Sequence, residues 1–249
     1  MANQTKKRAL LVVDVQNDFC PGGSLAVAHG DEVVPPLNKL IEEFLEHGEP
    51  VFKSRDWHPE KTKHFAAFGG TWPVHCVQNT KGAEFHPDLI DDIHIRTISK
   101  GLGDEDSYSA FDGTDLALQL HRLGVEEVWV GGLATDYCVK NTVLDGLKEG
   151  FRVKALADAM RAVEVQPGDG ERAIAEMRGA GAELIETNSI HANEAHAIDT
   201  QIDAFLPDVD RSLIQENLRL TVTERFENLM SLQRFAVELR RAGKEARRA

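Results

Sequence analysis

The sequence predicts an α/β fold in three layers, α-β-α, with a mostly parallel central sheet and a C-terminal helical extension. Short apolar runs of strand length alternate along the chain with segments whose apolar residues recur at helical spacing. The strand runs are continuously apolar, which is typical of parallel strands that helices bury on both faces. A length of 249 residues is enough for one such domain and an extension.

The predicted elements follow one another in a regular order. The first strand ends in a carboxylate at Asp14, and the first two helices stop at Gly48 and Gly124, as helices commonly do at glycine. The segment 60–87 has no clear periodicity, and loops of this length inside a domain are usually functional. Strands are predicted at 8–14, 50–54, 93–98, 127–130, 151–157 and 182–185, and helices at 33–47, 114–123, 137–149 and 171–178.

Composition excludes several classes of protein. A net charge of −13 with no offsetting basic stripe argues against nucleic-acid binding. No apolar run approaches the roughly 20 residues that span a membrane. The 3 cysteines are too few for a disulfide framework and lack C-x-x-C spacing, so a reducing cytoplasm is expected. The expected partner is therefore a small molecule.

The chain divides into a predicted α/β domain at 1–205 and a helical extension at 206–249. Apolar residues of the extension recur three and four apart, which predicts one stripe on a helix. Two interpretations stay open for this helix: packing on its own domain, or a subunit contact in a homo-oligomer. The stripe consists of Leu218, Val222, Phe226, Leu229, Leu232, Ala236 and Leu239.

Cys138 is a candidate nucleophile. It follows a buried strand and a glycine turn and lies in the first turn of a predicted helix, where unpaired N–H groups and the helix dipole favour a thiolate. Asp14 and Lys100 also follow carboxyl ends of predicted strands, the edge where open α/β sheets place their sites. Taken singly, Cys138 also fits a packed core cysteine, Asp14 a loop cap and Lys100 a solvated surface residue.

A second group of residues suits a metal. Asp56 and His58 form an Asp-x-His pair after a predicted strand, and His75 and His64 lie in the loop beyond it. Mixed oxygen and nitrogen ligands suit Zn²⁺, with Fe²⁺ or Mn²⁺ as alternatives. By spacing alone the signal is moderate, because 10 histidines produce some Asp-x-His pairs by chance.

Aromatic residues occur in or beside the same loops. Phe19, Trp72 and Tyr108 are placed where they could sandwich a flat ring. An aromatic residue of this kind, taken alone, is more often a loop anchor.

Five motifs taken together resemble the isochorismatase-like cysteine hydrolases, and within them the nicotinamidases. They are VDVQNDF at 13–19, RDWHP at 55–59, WPVHCVQNT at 72–80, SKG at 99–101 and GLATDYCV at 132–139. The resemblance covers about Arg8 to Glu186 and implies a Rossmann-like fold for the domain. Tyr137 precedes the nucleophile at a position that varies among relatives, and the extension has no counterpart in the minimal family fold.

The resemblance implies a role for each catalytic residue. Cys138 would be the nucleophile, Asp14 the base and acid, and Lys100 their partner. A cis peptide bond is implied between Leu133 and Ala134, and the backbone N–H groups of Ala134 and Cys138 would form an oxyanion hole.

The resemblance also implies binding roles. Asp56, His58 and His75 would hold one divalent transition metal, with His64 at a fourth position that varies in the family. Substrate would contact Phe19, Trp72, Leu133, Ala134 and Tyr108.

The activity implied is that of an amidohydrolase acting on linear amides. It would convert nicotinamide to nicotinate and ammonia through a cysteine thioester, in NAD salvage, and would also deamidate pyrazinamide. Alternatives are a hydrolase of another small amide, with or without a metal, and a non-catalytic binding protein. A thiol redox role for Cys138 with Cys20 or Cys76 lacks a C-x-x-C motif.

Overall fold

A parallel β-sheet forms the centre of the described part of the chain. The computed structural model describes residues 7–104 and 107–187, so the predicted extension at 206–249 lies outside the described residues. Every pairing between neighbouring strands is parallel, in the order β3-β2-β1-β4-β5-β6. The strands are β1 (Arg8–Val13), β2 (Val51–Asp56), β3 (Arg96–Lys100), β4 (Glu127–Leu133), β5 (Arg152–Arg161) and β6 (Glu183–Ile185).

Helices cover both faces of this sheet. They are α1 (Val34–Glu46), α2 (Leu116–Leu123), α3 (Lys140–Lys148) and α4 (Asp169–Gly179). Successive side chains of a strand point to opposite faces, so Leu10 and Val12 of β1 pack in the core that contains α1, whereas Leu11 and Val13 pack in the core that contains α2, α3 and α4. The three-layer α/β prediction is confirmed.

The helices that the structure describes are short. The longest is α1, with 13 residues, and none within the described ranges combines the length and apolar character needed to cross a membrane.

The third strand lies further along the chain than its apolar pattern predicts. Strand pairing runs from Phe52 beside Arg96 to Asp56 beside Lys100, so the predicted span 93–98 is wrong by two to three residues. Ile93 is 93% exposed and lies within a turn in which the Ile95 N–H donates to the Asp92 carbonyl. The apolar residues Ile93 and Ile95 therefore made the strand pattern in the sequence begin earlier than the strand itself does.

The helix after β4 also starts later than predicted. Residues Thr135–Val139 form one π-helical turn, and α3 begins only at Lys140. Cys138 therefore lies in the turn that leads into α3.

The order of the strands determines where a site can form. From β1 the chain moves outward through β2 to β3, and it then returns to place β4 on the other side of β1. This reversal between β1 and β4 is the switch point at which open α/β sheets bind ligands, outside the carboxyl ends of the strands. Asp14 follows β1, Lys100 ends β3 and Cys138 follows β4, so all three lie at that edge.

Close contact between β1 and β4 requires glycine at position 132. Gly132 has a φ of 127°, and a Cβ atom there would lie 2.0 Å from the Val13 carbonyl oxygen. Both the backbone conformation and the space therefore exclude a larger residue.

We expect Gly132→Ala to lower the free energy of unfolding by more than about 3 kcal/mol, because the new methyl group must displace the backbone of β1. Gly179→Ala is the matched control. Gly179 lies in α4 with open space at its Cβ position, so alanine there should raise stability by about 0.5–1 kcal/mol. Urea denaturation of both variants measures the difference, and a Gly132→Ala variant as stable as the parent would contradict this packing.

Candidate active site

The ammonium group of Lys100 lies at the centre of a buried cluster. Its Nζ is 2.9 Å from Asp14 Oδ2 and 3.5 Å from Cys138 Sγ, and it also contacts Asp56 Oδ1. A further bond runs to the Ser107 carbonyl oxygen at 3.2 Å. The structure thus brings together Asp14, Lys100 and Cys138, as predicted, and it adds Asp56 as a second carboxylate partner of the lysine.

Local backbone geometry positions these side chains. Asp14 has a φ of 49° where the chain leaves β1, and Ser54 Oγ donates a 2.7 Å hydrogen bond to Asp14 Oδ1. Asp56 and Lys100 are register partners at the ends of β2 and β3. Neighbouring strand ends therefore hold the two carboxylates on either side of the ammonium group.

Burial and charge act on the ionisation of this cluster in opposite directions. Burial alone would lower the pKa of Lys100, but the charges of Asp14 and Asp56 outweigh it and raise that pKa well above its ordinary value. Burial, together with the charge of Asp56, raises the pKa of Asp14, although Lys100 and Ser54 partly offset the change. Asp14 therefore takes up a proton more readily than an exposed aspartate does.

Cys138 is held as a neutral thiol. Burial raises the pKa of Cys138 well above its ordinary value, nearby Asp14 and Asp56 raise it further, and Lys100 only partly offsets them. The thiolate expected from the helix start is thus not the resting form, because desolvation outweighs the positive potential. The sulfur needs a base to remove its proton, and an Asp14 carboxylate oxygen lies within 4.8 Å of it.

A second cluster adjoins the first through Asp56. One ligand atom each from Asp56, His58 and His75 lies within 4.8 Å of the others. Asp56 Oδ2 is 3.6 Å from His58 Nε2 and 3.9 Å from His75 Nε2. Asp56 therefore directs one oxygen to Lys100 and the other to the histidines.

The hydrogen bonds of the two histidines fit metal ligation. Nδ1 of His58 donates to the Gly101 carbonyl at 3.0 Å, and Nδ1 of His75 donates to the Pro73 carbonyl at 2.7 Å. A proton on each Nδ1 leaves the Nε2 lone pair directed at the cluster, the arrangement that metal-binding histidines commonly use. Burial also lowers the pKa of His75, which keeps the imidazole neutral.

His64 lies beside this cluster but outside the close group of three. Its ring centroid is 4.7 Å from that of His58, and its Nδ1 contacts the Thr62 hydroxyl. The predicted fourth ligand is therefore adjacent to the other three, and its role stays a prediction.

Both clusters open into one cavity, which Asp56 and Cys138 line. Phe19 lines this cavity, with its ring centroid 5.6 Å from that of His75. Elsewhere in the lining the Trp72 indole N–H donates to the Tyr108 hydroxyl at 3.0 Å, and the Trp72 ring stands edge-on to Tyr137 at 4.9 Å. The three aromatic residues predicted to contact substrate thus line the same cavity.

The chain where β4 ends is divided between the cavity and the core. Ala134 lines the cavity and the peptide bond that precedes it is cis, as the resemblance implies. The Leu133 side chain is fully buried in the core beside α1 and is not among the cavity-lining residues. Leu133 can therefore meet a ligand only through its main chain.

Some lining residues were missed by the sequence analysis. Leu25, Val163 and Ser107 come from loops in three separate parts of the chain, and nothing in their local sequence distinguishes them. Tyr137 could have been included, because it directly precedes Cys138.

The fold and this site define an α/β protein with a buried cysteine, carboxylate and lysine cluster at a sheet switch point. Residues 8–189 match the isochorismatase domain, and the chain belongs to that family.

The named proteins to which this chain is similar are consistent with the family match. Nicotinamidase of Escherichia coli strain K12 is 44% identical over 199 residues, which is 71% of this chain and 93% of that protein. The crystal structure of Pyrococcus horikoshii pyrazinamidase in complex with zinc shares 46% identity and a TM-score of 0.69, covering 72% of this chain and 99% of that one. A protein of L. infantum in complex with nicotinate shares 36% identity and a TM-score of 0.67, covering 74% and 94%.

We expect Lys100→Met to lower the free energy of unfolding by about 3–5 kcal/mol, because it leaves the carboxylates of Asp14 and Asp56 buried without their cation. Lys148→Met is the control, since Lys148 pairs with Asp145 on the exposed surface and its loss should leave stability unchanged. Chemical denaturation at pH 7 compares the two. Equal stability of both variants would show that Lys100 does not balance the buried charges.

Proposed function

We propose that this protein is a nicotinamidase that hydrolyses nicotinamide to nicotinate and ammonia. The observation that carries the proposal is the contact of Cys138, Lys100 and Asp14 beside a candidate metal cluster, within one cavity lined by aromatic side chains. The E. coli nicotinamidase and the nicotinate complex of the L. infantum protein support the substrate.

The first half of the reaction forms a thioester. Cys138 transfers its proton to Asp14 as its sulfur bonds to the carboxamide carbon, and the carbonyl oxygen becomes an oxyanion. The backbone N–H groups of Ala134 and Cys138 donate to that oxyanion. Asp14 then passes its proton to the amide nitrogen, the C–N bond breaks, and ammonia leaves.

The second half releases the acid. Asp14 takes a proton from water while the water oxygen bonds to the thioester carbon. The C–S bond then breaks, and the Cys138 sulfur regains the proton held by Asp14. Lys100 stabilises the carboxylate form of Asp14 in every cycle, because the ammonium group stays 2.9 Å from it.

Asp56, His58 and His75 are the residues that would hold a divalent ion, and we assign His64 to the fourth position. Zinc is our first assignment, supported by the zinc complex of the P. horikoshii pyrazinamidase, with iron or manganese as alternatives. Such an ion supplies a Lewis-acid position that suits a basic ring nitrogen.

The aromatic residues select a flat ring. Phe19, Trp72 and Tyr108 pack against its faces and edge, and Ala134 and Leu133 contribute main-chain contacts. Pyrazinamide carries its carboxamide on a similar ring, so we propose that it is a second substrate.

The biological setting follows from the product and the cysteines. Nicotinate enters NAD salvage, and the 3 cysteines are free and buried, which suits a reducing cytoplasm. Assembly into a homo-oligomer through residues 206–249 stays a prediction from their apolar stripe.

Purified protein should release ammonia from nicotinamide, and Cys138→Ala should lower kcat/KM by at least about 10³-fold, because the nucleophile is lost. Cys20→Ala is the matched control: Cys20 is a buried cysteine of the core, and its replacement should leave kcat/KM within about twofold. A coupled ammonia assay measures all three proteins. If the folded, zinc-loaded parent protein has no activity on nicotinamide, nicotinamide is not its substrate, and another small amide becomes the proposed substrate.

Chelation tests the metal. Dialysis against a strong chelator should lower kcat/KM for nicotinamide at least about tenfold, and zinc add-back should restore it, because the ring loses its coordination position. Full activity in protein shown to be metal-free by elemental analysis would remove the ion from the proposed mechanism and leave a metal-independent amidase.

A further inference from the structure

The side chain of Gln16 makes three hydrogen bonds in the interior, and all of them go to main chain. It is fully buried. Its Oε1 accepts the Asp56 N–H at 2.8 Å, while its Nε2 donates to the Asp56 carbonyl at 2.8 Å and to the Ala83 carbonyl at 2.9 Å. One amide group therefore satisfies both main-chain polar groups of Asp56.

These bonds occur where β1 stops pairing with β2. The Asp14 N–H still donates to the Ser54 carbonyl at 3.1 Å, but the Asp14 carbonyl accepts the N–H of Gln16 at 2.8 Å. In a continuing parallel ladder that carbonyl would accept the N–H of Asp56 instead. The Gln16 side chain thus replaces the missing part of β1 and supplies one acceptor and one donor to the last residue of β2.

Asp56 is the residue for which this support matters most. Its Oδ1 contacts Lys100, and its Oδ2 lies 3.6 Å from His58 Nε2 and 3.9 Å from His75 Nε2. A small rotation of the Asp56 backbone would move one oxygen away from the lysine or the other away from the histidines. Both contacts therefore depend on a fixed main chain at this strand end.

We infer that Gln16 is a positioning residue that clamps the main chain of Asp56, so that one carboxylate serves both Lys100 and a bound divalent ion. This inference rests on the proposed metal site. It predicts that loss of the clamp weakens metal binding beyond any general effect on stability, because partners that orient a ligand typically contribute 10- to 100-fold to metal affinity.

Two variants remove the clamp in different ways. Gln16→Leu keeps the approximate size and removes all three bonds, whereas Gln16→Glu keeps the shape and the acceptor but loses both donated bonds at neutral pH. Zinc affinity, measured by competition with a chromophoric chelator, should fall 10- to 100-fold in both variants. The kcat of zinc-saturated protein should fall as well, since the same displacement alters the contact between Asp56 and Lys100.

Asn38→Leu is the matched control. The Asn38 amide makes a similar pair of main-chain bonds, to the Asp88 carbonyl at 2.7 Å and from the Ile90 N–H at 2.9 Å, away from the site. Its loss should lower the melting temperature and leave zinc affinity within about twofold. The control therefore separates a positioning effect from a general loss of stability.

The outcomes distinguish this inference from the proposed function. If the parent protein binds zinc and the folded Gln16 variants bind it equally well, the clamp is overturned and the proposed function stays intact. Parent protein that binds none of zinc, iron(II) and manganese(II) would overturn the metal site itself. If the variants do not fold, amide hydrogen exchange of the metal-free parent protein tests the clamp instead. The Asp56 N–H should be protected from exchange as well as the N–H groups of central β1 are. Rapid exchange of the Asp56 N–H would overturn the clamp.

Discussion

The buried ammonium group of Lys100 is the charge on which the site depends. Two carboxylates, Asp14 and Asp56, lie in the interior on either side of it, and without a cation between them they could not both stay ionised. The contacts of the Lys100 ammonium group with both carboxylates require the ends of β1, β2 and β3 to stay in fixed register. The sheet therefore positions the chemistry, and the ion cluster in turn restrains the sheet edge where the strands diverge.

The main features of the fold could be predicted because apolar periodicity reports burial directly. The placement of Asp14, Lys100 and Cys138 at one edge followed from strand and helix alternation, and the motifs supplied the joint role that we propose for them. The bounds of β3 were misplaced because pairing with β2 decides its register, and the apolar side chain of Ile93 carries no information about that partner. A local sequence pattern cannot predict contacts that form only in the assembled sheet.

The same reason explains what sequence reasoning missed at the site. Leu25 and Val163 reach the cavity through loop packing, and their local sequence resembles that of any loop residue. Gln16 lies within a recognised motif, yet its function appears only when the departure of β1 from Asp56 is seen. The neutral state of Cys138 also needed the structure, because desolvation depends on every neighbour that excludes water.

The protonated state of the Cys138 sulfur has a consequence for chemical durability. Peroxides and alkylating reagents react with thiolates at exposed positions, whereas this sulfur is buried and its raised pKa keeps it protonated at rest. In the proposed mechanism the nucleophile forms only as its proton moves to Asp14, so the resting sulfur is protected from such damage between turnovers. The reactive atom is thereby kept available over many turnovers.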